Sequence, residues 1–238
     1  MASEAAGMAW YGGDVKTLRE ARRQFARKPS PWIIGTGIVA LVAVRVAVGA
    51  PSWRDAVAVA AMLIVYPFGE WAIHVYLLHM RPRRVGSRRI DPPAARSHRA
   101  HHREPNDLSM ILLEPKELAQ LLLLAVPATV GTGALLVGLV AGPVPLGPLV
   151  SAALAGYVAI FMYEWTHFLI HTAHRPRSRW YRAVWRNHRL HHFKNERFWH
   201  GITNTVSDRV LGTAPDQRKV PRSRTARTLD PGSPVGPG

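Results

Sequence analysis

The residues in this chain with the clearest capacity for chemistry are its histidines. All twelve lie between His74 and His200, leaving the first 73 residues and the last 38 without any. They fall into four clusters: His74 and His79; His98, His101 and His102; His167, His171 and His174; His188, His191 and His192; His200 stands just beyond. An α-helix turns about 100° per residue, so positions i, i+3 and i+4 share a face. HRAHH (98–102) and HRLHH (188–192) both have that spacing, and HFLIH (167–171) is an i, i+4 pair. His74 and His79 are five apart, which fits one helical face only loosely. They are expected to serve neighbouring positions or to sit where a helix ends. A single histidine on an apolar helix is usually a satisfied core residue, but a repeated HxxHH within four clusters is a metal-ligand pattern. Neutral imidazole is the commonest protein ligand for borderline metals. One metal takes four to six ligands, so ten clustered histidines suit two metals better than one. His174 and His200 lie outside the repeated pattern and are additional candidates. Glu70 precedes His74 by four residues and Glu164 precedes His167 by three. Ligating imidazoles commonly donate their second N–H to a carboxylate or carbonyl, so both glutamates are expected in that supporting role; a salt bridge to arginine is the alternative.

These residues need long helices to position them. A bilayer-crossing helix requires about 20 mostly apolar residues, and four segments meet or approach this: Trp32–Ala50, Ala56–Met80, Leu118–Gly142 and Val144–Leu169. The first carries one charge, Arg45, close enough to its end to snorkel. The last two are joined by a Gly/Pro-rich turn and should form a helical hairpin. A soluble all-helical protein is the alternative, but few soluble domains of this size hold several helices that are apolar all round. The chain carries 31 Lys+Arg against 15 Asp+Glu, a net charge of +16. That balance suits either nucleic acid or an anionic membrane surface. Its location beside the apolar runs favours the membrane. Basic clusters before the first span, after the second and after the fourth place both termini in the cytoplasm by the positive-inside rule. The implied layout is a basic cytosolic segment over 1–31, a membrane domain over 32–213 and a disordered tail over 214–238 rich in Pro, Arg, Ser and Gly. No cleavable signal peptide is expected. With no cysteine, disulfides, thiolate metal sites and cysteine nucleophiles are excluded.

The motifs EWAIHVYLLHMRP, SHRAHHREPNDLSMILLEP, YEWTHFLIH and NHRLHHFKNERFWHGITNTVSDRVLGT together resemble the fatty acid hydroxylase/sterol desaturase superfamily. The resemblance covers roughly Tyr66 to Thr213, and HHREPND is similar to the HHxxPxD of the fatty acid 2-hydroxylase branch. It implies an all-α integral membrane fold, with four transmembrane helices and a cytosolic helical cap holding a dinuclear histidine site. The ligands it implies are His74, His79, His98, His101, His102, His167, His171, His188, His191 and His192. It differs from the family pattern at Thr172, where a histidine is common, at His200, and at Ser207, where a Trp often precedes the aspartate matched by Asp208.

The activity implied is oxygen-dependent hydroxylation of a fatty acyl or other lipid chain. Breaking an unactivated C–H bond requires a redox metal, dioxygen and two electrons. Two iron ions are therefore expected, with zinc able to occupy the site after purification and dioxygen as co-substrate. No haem domain accompanies these motifs, so a separate electron-donor protein is implied. Composition heavy in Ala, Arg, Gly, Pro and Val fits a bacterial plasma membrane. Carotenoid- or sterol-type oxidation is the nearest alternative within the superfamily. The rival from another class is a histidine-rich metal transporter, whose site would lie near the bilayer midplane with few ligands. Nucleic-acid binding is disfavoured by the spans.

Overall fold

The computed structural model describes residues 11–229; the expectations for 1–10 and 230–238 lie outside the described residues. Helices are α1 Leu18–Phe25, α2 Pro29–Ala47, α3 Trp53–Ala72, α4 Pro93–Arg103, α5 Pro115–Ala141, α6 Leu146–Ile170, α7 Arg179–Phe193 and α8 Val206–Val210. A π-helical segment, Ile73–Leu78, continues α3, and a small antiparallel hairpin pairs β1 Arg83–Val85 with β2 Arg88–Ile90. The chain divides into two compact units: Ala26–Gly69 with Leu113–Trp165, and Glu70–Leu112 with the described parts of Met1–Phe25 and Thr166–Gly238.

The first unit holds most of the four helices that are long and apolar enough to cross a membrane: Pro29–Ala47, Trp53–Leu78, Pro115–Ala141 and Leu146–Ile170. Their ends differ by up to about three residues from the sequence expectation, because the caps lie outside the apolar runs. Pro29 and Pro115 sit at the first turns, where a missing N–H costs nothing. Glu114 and Glu117 also form a capping box at the start of α5. Large apolar side chains such as Val46, Leu63, Leu123, Leu135 and Leu139 are exposed along these helices, as lipid-facing surfaces require. Inside the unit, Ile34, Leu118 and Ile160 form one buried cluster, and Ala58, Val137 and Ala152 form another. The second depends on small residues: a Cβ on Gly133 would lie 2.8 Å from that of Ala152, the close helix approach typical of membrane packing.

Arg45 does not snorkel. Its guanidinium is buried against Asp55 at 2.8 Å, donates to Ser151 Oγ at 3.0 Å and to the Gly49 carbonyl at 2.8 Å, and Ser151 in turn donates to Asp55 at 2.7 Å. The partner was hidden in sequence because Asp55 reads as a loop residue, whereas it lies in the first turn of α3.

The second unit draws on distant stretches of chain. Its N-terminal piece is fastened by backbone hydrogen bonds. Gly12 donates to Asn106 O at 2.7 Å and accepts from Ala173 N–H at 2.9 Å, so residues 11–15 bridge two histidine-bearing segments. Gly12 is buried so closely that a Cβ would fall 2.0 Å from the His171 carbonyl oxygen. Residues 214–229 are fastened as well. Ser223 N–H donates to Lys194 O at 2.8 Å, and Ala226, Thr228 and Leu229 are buried. The low-hydrophobicity composition of this stretch hid these few anchoring residues.

Candidate metal centre

The second unit gathers ten histidines into two groups. His74, His79, His98, His102 and His191 form one; His101, His167, His171, His188 and His192 form the other. Within each group the candidate ligand atoms lie within 4.8 Å of one another. The i, i+3, i+4 strings behave as helical geometry dictates, with α4 and α7 each sending residues to both groups. The i, i+5 pair is explained by the π-helical turn: the His79 N–H donates to His74 O at 3.1 Å, and the two rings sit 4.8 Å apart. Such turns often occur at functional sites. His174 and His200 fall outside both groups. The half-buried His174 ring stacks on Tyr181 at 6.3 Å, whereas His200 is buried and contributes its backbone carbonyl.

Protonation and tautomer follow from the surroundings. Burial is the main cause that holds His79, His98, His101, His171, His188, His191 and His192 well below the ordinary imidazole range, and neighbouring imidazoles add to it. His102 is held at about 4 by the same burial, opposed by its bond to the Ala226 carbonyl and by the charge of Glu196. Neutral rings are what ligation needs. The Nδ1 of His74 meets His200 O at 2.6 Å, that of His102 meets Ala226 O at 2.8 Å and that of His191 meets Phe198 O at 2.8 Å. A carbonyl only accepts, so Nδ1 carries the proton in each and Nε2 presents a bare lone pair.

These lone pairs converge. His98 Nε2 lies 3.1 Å from both His74 Nε2 and His102 Nε2, and His79 Nε2 lies 3.2 Å from His191 Nε2. In the other group His101–His192, His192–His188 and His188–His171 approach through Nε2 at 3.1, 3.0 and 3.0 Å. His98 can donate one proton to one neighbour, so the remaining contact sets lone pair against lone pair. A cation between them removes the repulsion. Two nitrogens bound at about 2.1 Å and at right angles stand about 3.0 Å apart, which matches these contacts. The donor set therefore fits a metal.

The two glutamates accept hydrogen bonds from backbone N–H and hydroxyl groups. Glu70 accepts from Ile202 N–H at 2.6 Å, Thr203 N–H at 3.0 Å and the Thr203 hydroxyl. It thereby fixes the loop whose His200 carbonyl orients His74. Glu164 accepts from the Ser30 hydroxyl at 2.6 Å, with Leu113 N–H at 3.4 Å, within the unit of long helices. Sequence reasoning missed the acceptors themselves, Phe198, His200 and Ala226, because a backbone carbonyl has no residue signature. It also gave no role to Asp208 beyond its place in the motif. That carboxylate accepts from the His200 and Gly201 N–H groups at 2.9 and 2.8 Å and from the Thr213 hydroxyl at 2.6 Å. Hydrogen bonds to its charged form hold its carboxyl below the usual range although burial opposes them.

The chain is similar to known proteins. Residues 59–213 match the family described as Fatty acid hydroxylase. The chain is 28% identical over 165 residues to the dihydroceramide fatty acyl 2-hydroxylase FAH2 of Arabidopsis thaliana, covering 66% of this chain and 60% of that enzyme's length. Its fold is similar to the visible hydroxylase domain of full-length Scs7p, with a TM-score of 0.58 and 20% identity, over 81% of this chain and 69% of that one. Four apolar helices, two buried histidine groups and a family match across most of both mark a multi-pass membrane protein with a metal site: the chain belongs to the fatty acid hydroxylase family.

Proposed function

We propose that this protein is a di-iron oxygenase that hydroxylates the acyl chain of a fatty acid or lipid. The observation that carries the reading is the pair of five-histidine groups, each with its ligand atoms within 4.8 Å. His74, His79, His98, His102 and His191 would hold one iron; His101, His167, His171, His188 and His192 would hold the other. Iron supplies, when bound, the redox chemistry toward dioxygen that side chains lack. The balance is one oxygen atom inserted into a C–H bond and the other reduced to water by two electrons and two protons, the electrons arriving from a separate donor protein. What the chain itself does is hold ten neutral imidazoles in place. The carbonyls of Phe198, His200 and Ala226 fix three tautomers, and burial excludes the protons and water that would compete for the nitrogens. The basic segments flanking the spans support an orientation with both termini in the cytoplasm. The plant relative acts, by its name, on the acyl chain of dihydroceramide, which supports a lipid acyl substrate here.

The test is lipid mass spectrometry of cells expressing the wild type or a His191→Ala/His192→Ala variant, with a reductase system present and iron content measured. A lipid gaining one oxygen atom only with the wild type is expected. Iron-loaded wild type with no oxygenated lipid, or full activity in an iron-free zinc form, overturns the proposal.

A further inference from the structure

Beside the first histidine group lies a cavity of about 290 Å³, lined by Trp71, Val75, His79, Thr213 and Leu229 together with Arg81, Glu196, Arg197 and His200. At the roughly 30 Å³ that one water occupies in the liquid, it admits about ten non-hydrogen atoms. That is less than a long-chain lipid but enough for a head group and the carbons next to it. Its lining combines apolar side chains with two guanidiniums. Among the described residues, neither the Arg81 nor the Arg197 guanidinium makes an ion pair or hydrogen bond, and both residues are exposed. Glu196 is the one carboxyl in the lining, so two guanidiniums face a single carboxylate there. It is 5% exposed, and its Oε1 accepts from the Thr225 hydroxyl at 2.5 Å. Two unpaired guanidiniums at one small apolar-walled cavity suit an anion, and their planar forks match a carboxylate or phosphate.

We propose that this cavity seats the head of the substrate, and that Arg81 and Arg197 select an acyl chain bearing an anionic head group, a carboxylate or a phosphate. The selection rests on the chain being a lipid hydroxylase and narrows the substrate class. Trp71, Val75 and Leu229 cover the first carbons of the chain, and the head stays at the guanidiniums. His79 lines the same cavity, so the head lies beside the first histidine group.

The experiment uses the full chain loaded with zinc, which does not turn over, in nanodiscs of neutral phosphatidylcholine. Binding is measured for palmitate, 1-palmitoyl-lysophosphatidate and methyl palmitate as the uncharged control. At least one anionic ligand is expected to bind roughly tenfold or more tightly than the ester, as a charge-assisted bidentate contact warrants. The preference should shrink with added salt. Which anionic ligand wins identifies the head as carboxylate or phosphate. The Arg81→Gln/Arg197→Gln variant should bind all three within about threefold of one another, with zinc content and ester affinity unchanged. Equal binding of ester and anions by the wild type overturns the proposal without any variant, and so does a preference that survives the double substitution. Anion selectivity in a protein that oxygenates no lipid would sink the hydroxylase reading while leaving the anion site intact. Lipid oxygenation without selectivity would sink this inference alone.

Discussion

Replacing Gly12 with alanine should cost the protein metal although Gly12 contributes no side chain to the site. The new Cβ would fall 2.0 Å from the His171 carbonyl oxygen and 3.1 Å from its carbonyl carbon. An ordinary C···O approach is about 3.3 Å, so one backbone must retreat by about 1.3 Å. Gly12 itself is pinned by its bonds to Asn106 and Ala173, which leaves His171 to move. Metal–ligand distances tolerate only about 0.2 Å. The His171 Nε2, now 3.0 Å from that of His188, would therefore leave its group. Overpacking of this kind costs about 1–3 kcal/mol, and misorienting a ligand costs roughly 10–100-fold in metal affinity. Elemental analysis after dialysis against a weak chelator, with thermal unfolding in detergent, reads both quantities. Gly13→Ala is the control. The nearest atoms to its Cβ would belong to the ring of the exposed Tyr11, at 2.4 Å, and that ring can swing away. A Gly12→Ala protein with wild-type metal content and melting temperature would refute the reasoning.

Three further outcomes follow from the same geometry. Glu70→Ala removes the acceptor of the Ile202 and Thr203 N–H groups, at about 1–3 kcal/mol for each buried group left unpaired. It should lower metal content, with Glu70→Gln intermediate; unchanged metal binding in both would show that the loop does not depend on the carboxylate. Arg45→Ala strands the buried Asp55, for which about 3–5 kcal/mol of destabilisation is expected. The Arg45→Met/Asp55→Ala double variant should recover much of it in a detergent melt, and additive losses would contradict that. In metal-stripped protein the folded form holds His102 at about 4 against 6.5 for an ordinary imidazole. Between those values the unfolded chain binds the extra proton, so stability is full above pH 6.5 and declines as pH falls toward 4. The loss is about 3 kcal/mol from this group alone. Urea midpoints that are identical at about pH 7.5 and 4.5 would rule this out.

Side-chain periodicity made the spans and the helical spacing within HRAHH and HRLHH legible, because helical geometry turns spacing directly into a shared face. The i, i+5 pair of His74 and His79 resisted the same logic, since a single π-helical turn leaves no distinct pattern in residue types. Glu70 and Glu164 were singled out for a supporting role, but spacing could not reveal which groups donate to them. Burial makes a carboxylate seek N–H or O–H donors, and those of Ile202, Thr203 and Ser30 lie more than a hundred residues away in sequence. Composition did not show how residues 214–229 are held. A segment poor in apolar residues can still be fastened by a few contacts, and Arg227 does so by donating to the His102 and Arg103 carbonyls at 3.2 and 2.5 Å.

The hydrogen bond from His102 to the Ala226 carbonyl sets a clock on synthesis. His74 leaves the ribosome 152 residues before Ala226, which at about 5–20 residues per second is roughly 8–30 s. For that interval the first histidines exist without the acceptor that sets the His102 tautomer, and for most of it without the helix that carries His188, His191 and His192. A nascent chain can begin crossing the bilayer in that time, but its first histidine group cannot assemble in final form. Stable metal loading is therefore a late event that waits on the far end of the chain, and an arrested fragment ending before Ala226 would enter the membrane yet retain metal poorly.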